Sequence, residues 1–187
     1  MPNPLSFHRI HFDCIDSTQL YARENLDKIP NLTVVSADLQ TAGKGQGDHV
    51  WQSKKAENLT FSLVVRYGQN GIPHVSADAL SQKALSDAVA AGVIDYLSLH
   101  GIKAWMKQPN DVYVEGNKIC GMLIEHRVNS GGLLCSILGL GIDINQTEFP
   151  SDIPNPVSLK ILTGLHYDLN EELGKVLNCV LSRLKKL

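Results

Sequence analysis

Two groups of residues in this 187-residue chain have types and spacing suited to chemistry on anions. The first is the run Gln40-Thr-Ala-Gly-Lys-Gly-Gln-Gly-Asp-His-Val-Trp51, in which Gly43, Gly45 and Gly47 alternate around Lys44. Glycines allow unusual backbone angles and let main-chain N–H groups approach a bound anion, and Lys44 adds positive charge. The run therefore reads as a loop that grips phosphate or carboxylate, although an ordinary surface loop has the same composition. It is neither a P-loop, since no Gly-Lys-Ser/Thr opens a helix, nor a dinucleotide fingerprint, since the G-x-G-x-x-G spacing is missing. The second group is Lys107-Gln-Pro-Asn-Asp111, followed seven residues later by Lys118. A hairpin there would bring Asn110, Asp111 and Lys118 together: a carboxylate to hold a divalent cation or orient a lysine, an amide for a phosphate oxygen, and an ammonium for developing charge. Pro-Asn-Asp is also ordinary β-turn composition.

The elements that must position these groups follow from periodicity. Residues 7–13 read as a strand, Asp16-Ser-Thr as the cap of a helix over 19–26, and Thr33–Ala37 as a second strand. In 58–66, Leu59, Phe61, Leu63 and Val65 alternate with Thr60, Ser62 and Arg66, which predicts a half-buried antiparallel strand. An alanine-rich helix spans 75–99 and stops at Gly101. Strands are expected near 103–107, 111–114, 118–126 and 132–144, with Glu115-Gly-Asn turning between the middle two. The last strand puts Leu138, Leu140, Ile142 and Ile144 on one face and Gly139, Gly141, Asp143 and Asn145 on the other. So bare a face leaves room for a ligand, or marks a β-bulge. A proline-rich connection over 149–156 leads to a helix near 169–186.

Composition narrows the function classes. The chain is 43% hydrophobic and 19% charged with a formal net charge of −2, as expected of one globular domain without a basic face for nucleic acid. Arg183-Leu-Lys-Lys186 reads as a solvated helix end. Apolar stretches such as 133–138 are too short to span a bilayer, and the N-terminus has no signal-peptide pattern, so a cytoplasmic location is expected. Cys14, Cys120, Cys135 and Cys179 occur singly in apolar surroundings, which predicts reduced core thiols. His8 and His11 fall on opposite faces of a strand, and no structural metal is expected.

Order and spacing together add more than any single motif. The succession Asp16-Ser-Thr-Gln19, Gln40-Thr-Ala-Gly-Lys-Gly…Trp51, Asn58-Leu-Thr-Phe-Ser62, Lys107-Gln-Pro-Asn-Asp111, Lys118-Ile-Cys-Gly-Met-Leu-Ile-Glu125 and Gly139-Leu-Gly-Ile-Asp-Ile-Asn145 resembles the catalytic domain of biotin protein ligases, from about residue 8 to about 147. The resemblance implies an α+β fold of the class II aminoacyl-tRNA-synthetase-like, biotin–lipoate ligase type: a mixed, largely antiparallel sheet with helices packed on it. It implies a two-step reaction, in which biotin and ATP give biotinyl-5′-adenylate and biotin then passes to a lysine of a biotin carboxyl carrier domain of a carboxylase. It also implies Mg²⁺ and a sheet edge available for homodimerisation or carrier docking. Carried over by position, Ser17, Thr18, Gln19 and Gln40 belong to the biotin site, together with Lys44, Gly45, Gln46, Lys118 and Gly121. Lys44, Asn110, Asp111, Lys118 and Asp143 belong to the ATP site, Lys118, Lys44 and Asp111 are catalytic, and Asp111 is the metal ligand. Gly139 and Gly141 make space for the ligand, and Trp51 anchors the loop hydrophobically before binding. Residues 1–187 would then form the catalytic domain, without an N-terminal DNA-binding domain and with the small C-terminal β domain absent or truncated.

The chain departs from the family pattern at the loop, usually Gly-Arg-Gly-Arg-x-Gly-Arg-x-Trp. Lys44 and Gln46 stand where arginines are usual, and Asp48 adds a negative charge. Lys44 keeps the charge but not the planar fork that suits carboxylate and phosphate. Gln108 replaces a tryptophan and Asp143 an asparagine. A lipoate or octanoate transferase of the same fold, and a weakly active protein that binds biotin or its adenylate, are the competing readings.

Overall fold

Alternation in the strands and caps on the helices account for most of the architecture. The computed structural model describes residues 7–47 and 49–187, with Asp48 outside them. In chain order the elements are β1 (His8–Phe12), α1 (Thr18–Glu24), β2 (Thr33–Ala37), β3 (Leu59–Arg66), α2 (Ala79–Ser98), β4 (Trp105–Lys107), β5 (Asp111–Val114), β6 (Asn117–Asn129), β7 (Gly132–Ile142), α3 (Leu159–Thr163) and α4 (Leu169–Leu184). Among the described residues the strands form one seven-stranded sheet in the order β1-β2-β3-β7-β6-β5-β4. Only the β1–β2 pair is parallel, as the α1 crossover between them requires. This is the mixed, largely antiparallel α+β sheet expected from the sequence.

Two cores lie on opposite faces of the sheet. Leu59, Phe61, Leu63 and Val65 of β3 and Leu138, Leu140 and Ile142 of β7 pack with α2 and α4 in the larger one. Val64, Val35, Cys135 and Ile137 pack beneath Ala22 of α1 in the smaller one. Strand β3 is therefore buried on both faces rather than half-buried. Its polar residues turn from solvent toward protein partners: Thr60 donates to the Ala37 carbonyl at 2.7 Å, and Ser62 joins a buried hydrogen-bond chain.

Helices α2 and α4 cross closely at Gly92, where a Cβ would come within 2.5 Å of the Val180 Cα. Arg183, on the solvated helix end expected from the sequence, also makes a two-pronged contact with Asp95 at 2.6 and 2.7 Å that ties α4 to α2. Asp78 caps α2 by accepting from the Ser81 N–H at 2.8 Å, so the helix begins four residues later than its composition suggests. The short helix α3, capped by Ser158, emerges from what reads in sequence as a plain connection. All four cysteines are free, but Cys14 is exposed rather than in the core. No helix among the described residues is long and apolar enough to cross a membrane.

Candidate ligand-binding site

A cavity of about 540 Å³ opens where α1, the loop over 40–52, β3, the β5–β6 hairpin and β7 converge. Every residue that the sequence nominated lines it: Ser17, Thr18, Gln19, Gln40, Lys44, Gly45, Gln46, Asn110, Asp111, Lys118, Gly121 and Asp143. They come from segments more than a hundred residues apart. The antiparallel β3–β7–β6 register brings them together, setting Thr60 opposite Gly141 and Gly121 opposite Gly141 on the next strand.

At one end the cavity is neutral and its polar atoms are spent on one another. The Gln40 Oε1 accepts from the Thr18 backbone N–H at 2.8 Å and lies 3.1 Å from the Thr18 hydroxyl. The Thr18 and Ser62 hydroxyls meet at 3.0 Å, and Ser62 donates to the Gln19 Oε1 at 3.0 Å. Gln19 in turn donates its amide to Glu125 at 3.1 Å and to the Ile137 carbonyl at 3.3 Å. Ser17 caps α1, accepting from the Leu20 N–H at 3.4 Å, and keeps its own proton to donate.

At the other end the polar atoms are charged or unpaired. The β5–β6 hairpin, turned by Glu115 and Gly116 with positive φ, puts the Lys118 Nζ 2.8 Å from the Asp111 Oδ1. The two form an ion pair, although that oxygen makes no aligned hydrogen bond. Asn110 lines the same wall with its amide tied to the Met122 carbonyl at 2.9 Å. Asp143 is 5% exposed and its Oδ1 has no partner. Burial pushes its carboxyl well above the usual carboxylate range, against the opposing pull of Lys118. Burial also pushes the neighbouring Cys120 thiol up, which makes it a packing group rather than a nucleophile.

The glycine loop differs from its expected form. The Gly45 N–H, expected to face an anion, donates to the His49 carbonyl at 2.8 Å, and Lys44 pairs with Val50 as an antiparallel bridge, so the loop closes on itself. Trp51 does not merely anchor the loop. Its indole lies on the cavity floor over the Cα atoms of Gly141 and Gly121, filling the space a side chain at Gly141 would need. The indole Nε1 is buried without a partner, and the Lys118 ammonium sits 5.9 Å from the ring centroid. The Gly139 position is filled in the same way by the Gln19 amide, so the bare face of β7 is roofed by two side chains.

Several lining residues have no sequence signal of their own. Phe149, Asp152, Ile153, Pro154 and Pro156 form a wall, because Lys118 pairs with that segment. Its N–H donates to the Asn155 carbonyl at 2.7 Å, and its carbonyl accepts from the Val157 N–H at 2.9 Å. Tyr113 also lines the cavity, as does Ser62 from the Asn58–Ser62 motif. The His11, Asp13 and Asp38 side chains approach one another within 4.8 Å on the β1–β2 side, away from the cavity. There the His11 Nδ1 already meets the Ser36 hydroxyl at 3.0 Å and the Arg9 guanidinium at 3.4 Å.

Comparison with known proteins agrees with this geometry. The chain is 32% identical over 182 residues to the bifunctional ligase/repressor BirA of Bacillus spizizenii, covering 95% of this chain and 54% of that one. It is 31% identical over 164 residues to biotin–protein ligase 2 of Arabidopsis thaliana, covering 83% and 47%. The chain thus spans about half the length of the curated relatives it matches. The biotin protein ligase of Aquifex aeolicus in complex with biotin and ATP superposes with a TM-score of 0.78 at 29% identity, over 96% of this chain and 71% of that one. The sequence model of the biotin/lipoate A/B protein ligase family matches residues 11–143, which are the residues that build the cavity from α1 to Asp143, and the chain belongs to that family.

Proposed function

We propose that this chain carries the catalytic site of a biotin–protein ligase, joining biotin to ATP as biotinyl-5′-adenylate and then passing biotin to a carrier lysine. One observation supports this most: a single cavity has a neutral amide-and-hydroxyl end at Thr18, Gln40 and Ser62 and a charged end at Lys118 and Asp111. Its volume of about 540 Å³ suits one elongated ligand with a polar uncharged head and an anionic tail.

In the first step a biotin carboxylate oxygen attacks the α-phosphorus of ATP. An O–P bond forms, the bond to the bridging oxygen breaks, and pyrophosphate leaves with the electron pair. Two anions must meet, so Lys118 and Lys44 supply the positive charge that offsets their repulsion. In the second step the uncharged carrier amine attacks the adenylate carbonyl carbon. A C–N bond forms, the C–O bond to AMP breaks with its electron pair leaving on AMP, the attacking nitrogen gives one proton to solvent, and Lys118 stabilises the charge that gathers on the departing phosphate. Ser17, Thr18 and Gln40 hold the ureido ring, while Asn110 and Asp143 face the nucleotide. The oxygen donors of this wall fit Mg²⁺, which usually takes one or two carboxylates together with substrate phosphates. Asp111 would hold it, and when bound the ion supplies further charge neutralisation at the phosphates. The partner is a biotin carboxyl carrier domain of a carboxylase, docking with the ligase at an exposed sheet edge, where a homodimer could form instead.

Pyrophosphate release that depends on both biotin and MgATP tests the first step. Competition calorimetry between biotin and lipoate separates this reading from a lipoate or octanoate transferase, and preferential lipoate binding would refute it.

A further inference from the structure

The hydrogen-bond chain at the neutral end of the cavity has a direction, and Gln19 at its inner end, held by Glu125, imposes it. Gln19 has two amide protons and two acceptors to receive them, the Glu125 carboxylate at 3.1 Å and the Ile137 carbonyl at 3.3 Å. The reversed amide would press its oxygen against both acceptors, so the orientation is settled by inventory. The Gln19 Oε1 must then accept, and the single Ser62 proton is committed to it. Ser62 has only lone pairs left for Thr18. On its other side Thr18 meets the Gln40 Oε1, whose orientation is set by the Thr18 backbone N–H. Both neighbours of the Thr18 hydroxyl are acceptors, so its one proton is also committed. Neither hydroxyl has a proton to offer a ligand. Beside them the Gln40 Nε2 and the Ser17 hydroxyl still have protons to donate.

We propose that Gln19, held by Glu125, is a positioning residue that makes Thr18 and Ser62 obligatory acceptors, and that this polarity selects a ligand ring bearing an N–H next to a carbonyl. The inference rests on the biotin reading above and assigns Gln19, beyond its place in the cavity lining, a role exerted through Ser62. A ring with a carbonyl flanked by an N–H satisfies acceptor and donors at once. A ring that offers only lone pairs at the same place leaves two buried oxygens facing a third.

The test measures binding of biotin and of its cyclic carbonate analogue, in which both ring N–H groups are replaced by oxygen, by calorimetry without ATP. Thermal unfolding of each variant is followed alongside. Wild-type protein is expected to prefer biotin by about 10- to 100-fold. Gln19→Met fills the same space but removes the acceptor, freeing the Ser62 proton, and the preference is expected to fall to within about threefold. Glu125→Gln can still present a carbonyl to Gln19 and keeps the preference. Glu125→Ala, at a side chain one-third exposed, leaves Gln19 to Ile137 alone and lowers it severalfold. This last variant carries the test if Gln19→Met unfolds. Equal loss of both ligands in Gln19→Met, or an unchanged preference in Gln19→Met or Glu125→Ala, would overturn the proposal while biotin binding by the wild type stands. A wild type that binds no biotin would overturn the underlying reading instead.

Discussion

The two ends of the cavity are built on opposite principles. Around Thr18, Ser62, Gln19 and Gln40 each hydroxyl and amide oxygen has a protein partner, and Thr18, Gln19 and Ser62 sit on buried parts of α1 and β3 while Gln40 is half-buried beyond β2. Around Lys118, Asp143 and Trp51, buried polar atoms lack partners or meet only as an ion pair beside an exposed loop. Full satisfaction fixes a geometry before any ligand arrives, whereas unpaired buried groups cost stability until something bonds to them. The neutral end is therefore preorganised for recognition. On the function proposed above, the charged end keeps its polar atoms in reserve for a phosphate-bearing substrate, at the expense of the ligand-free fold.

That contrast can be broken most sharply at Lys118. Lys118→Ala is expected to lower biotin-dependent pyrophosphate release by about 10²- to 10³-fold, as for loss of a group that stabilises transition-state charge. Thermal stability should change little, because the Asp111 partner is itself partly exposed. At the neutral end Thr18→Val should do the reverse. Biotin affinity measured by calorimetry should fall by about 10- to 100-fold, because the Thr18 acceptor is lost and the Ser62 oxygen loses its Thr18 partner, with less effect on turnover at saturating biotin.

Asp143→Asn sharpens the comparison through stability. The native carboxyl titrates above the ordinary carboxylate range, so the folded state holds a proton that the unfolded chain releases. Its contribution to stability is present below about pH 4 and is lost as pH rises through the native value. Asparagine removes that loss. The variant should be more stable than wild type at neutral pH by urea unfolding, with the gap closing toward pH 4. The smallest effect is expected from Lys44→Arg, which restores a bidentate fork on the loop. A severalfold rise in the rate of adenylate formation is expected, measured as biotin-dependent pyrophosphate release.

The sheet was legible because period-two alternation in 58–66 and 132–144 is strong, and because the Glu115-Gly-Asn turn fixes one hairpin. The roster of cavity residues was legible from the order of motifs. What local pattern could not show is which neighbours those residues meet. Thr60 and Ser62 alternate like solvent-facing residues, yet both are buried, Thr60 bonded to the Ala37 carbonyl of β2 and Ser62 to Thr18 and Gln19 of α1. The wall over 149–156 depends on a bridge between Lys118 and Pro156, residues far apart in sequence with no pattern in common. Gln19 and Glu125 are 106 residues apart, and only the fold shows that the glutamine amide is already engaged. Trp51 reaches the floor because β6 and β7 place two glycines side by side beneath it.

The central claim is that one cavity activates biotin at its charged end and holds it at its neutral end for transfer. Incubation of the chain with biotin, MgATP and a biotin carboxyl carrier domain, followed by intact-mass measurement of the carrier, tests it most directly. The account predicts a gain of one biotinyl group on the carrier, abolished when biotin or ATP is left out and strongly reduced in Lys118→Ala. An unmodified carrier, in a mixture where biotin binds the chain but no pyrophosphate is released, would contradict it.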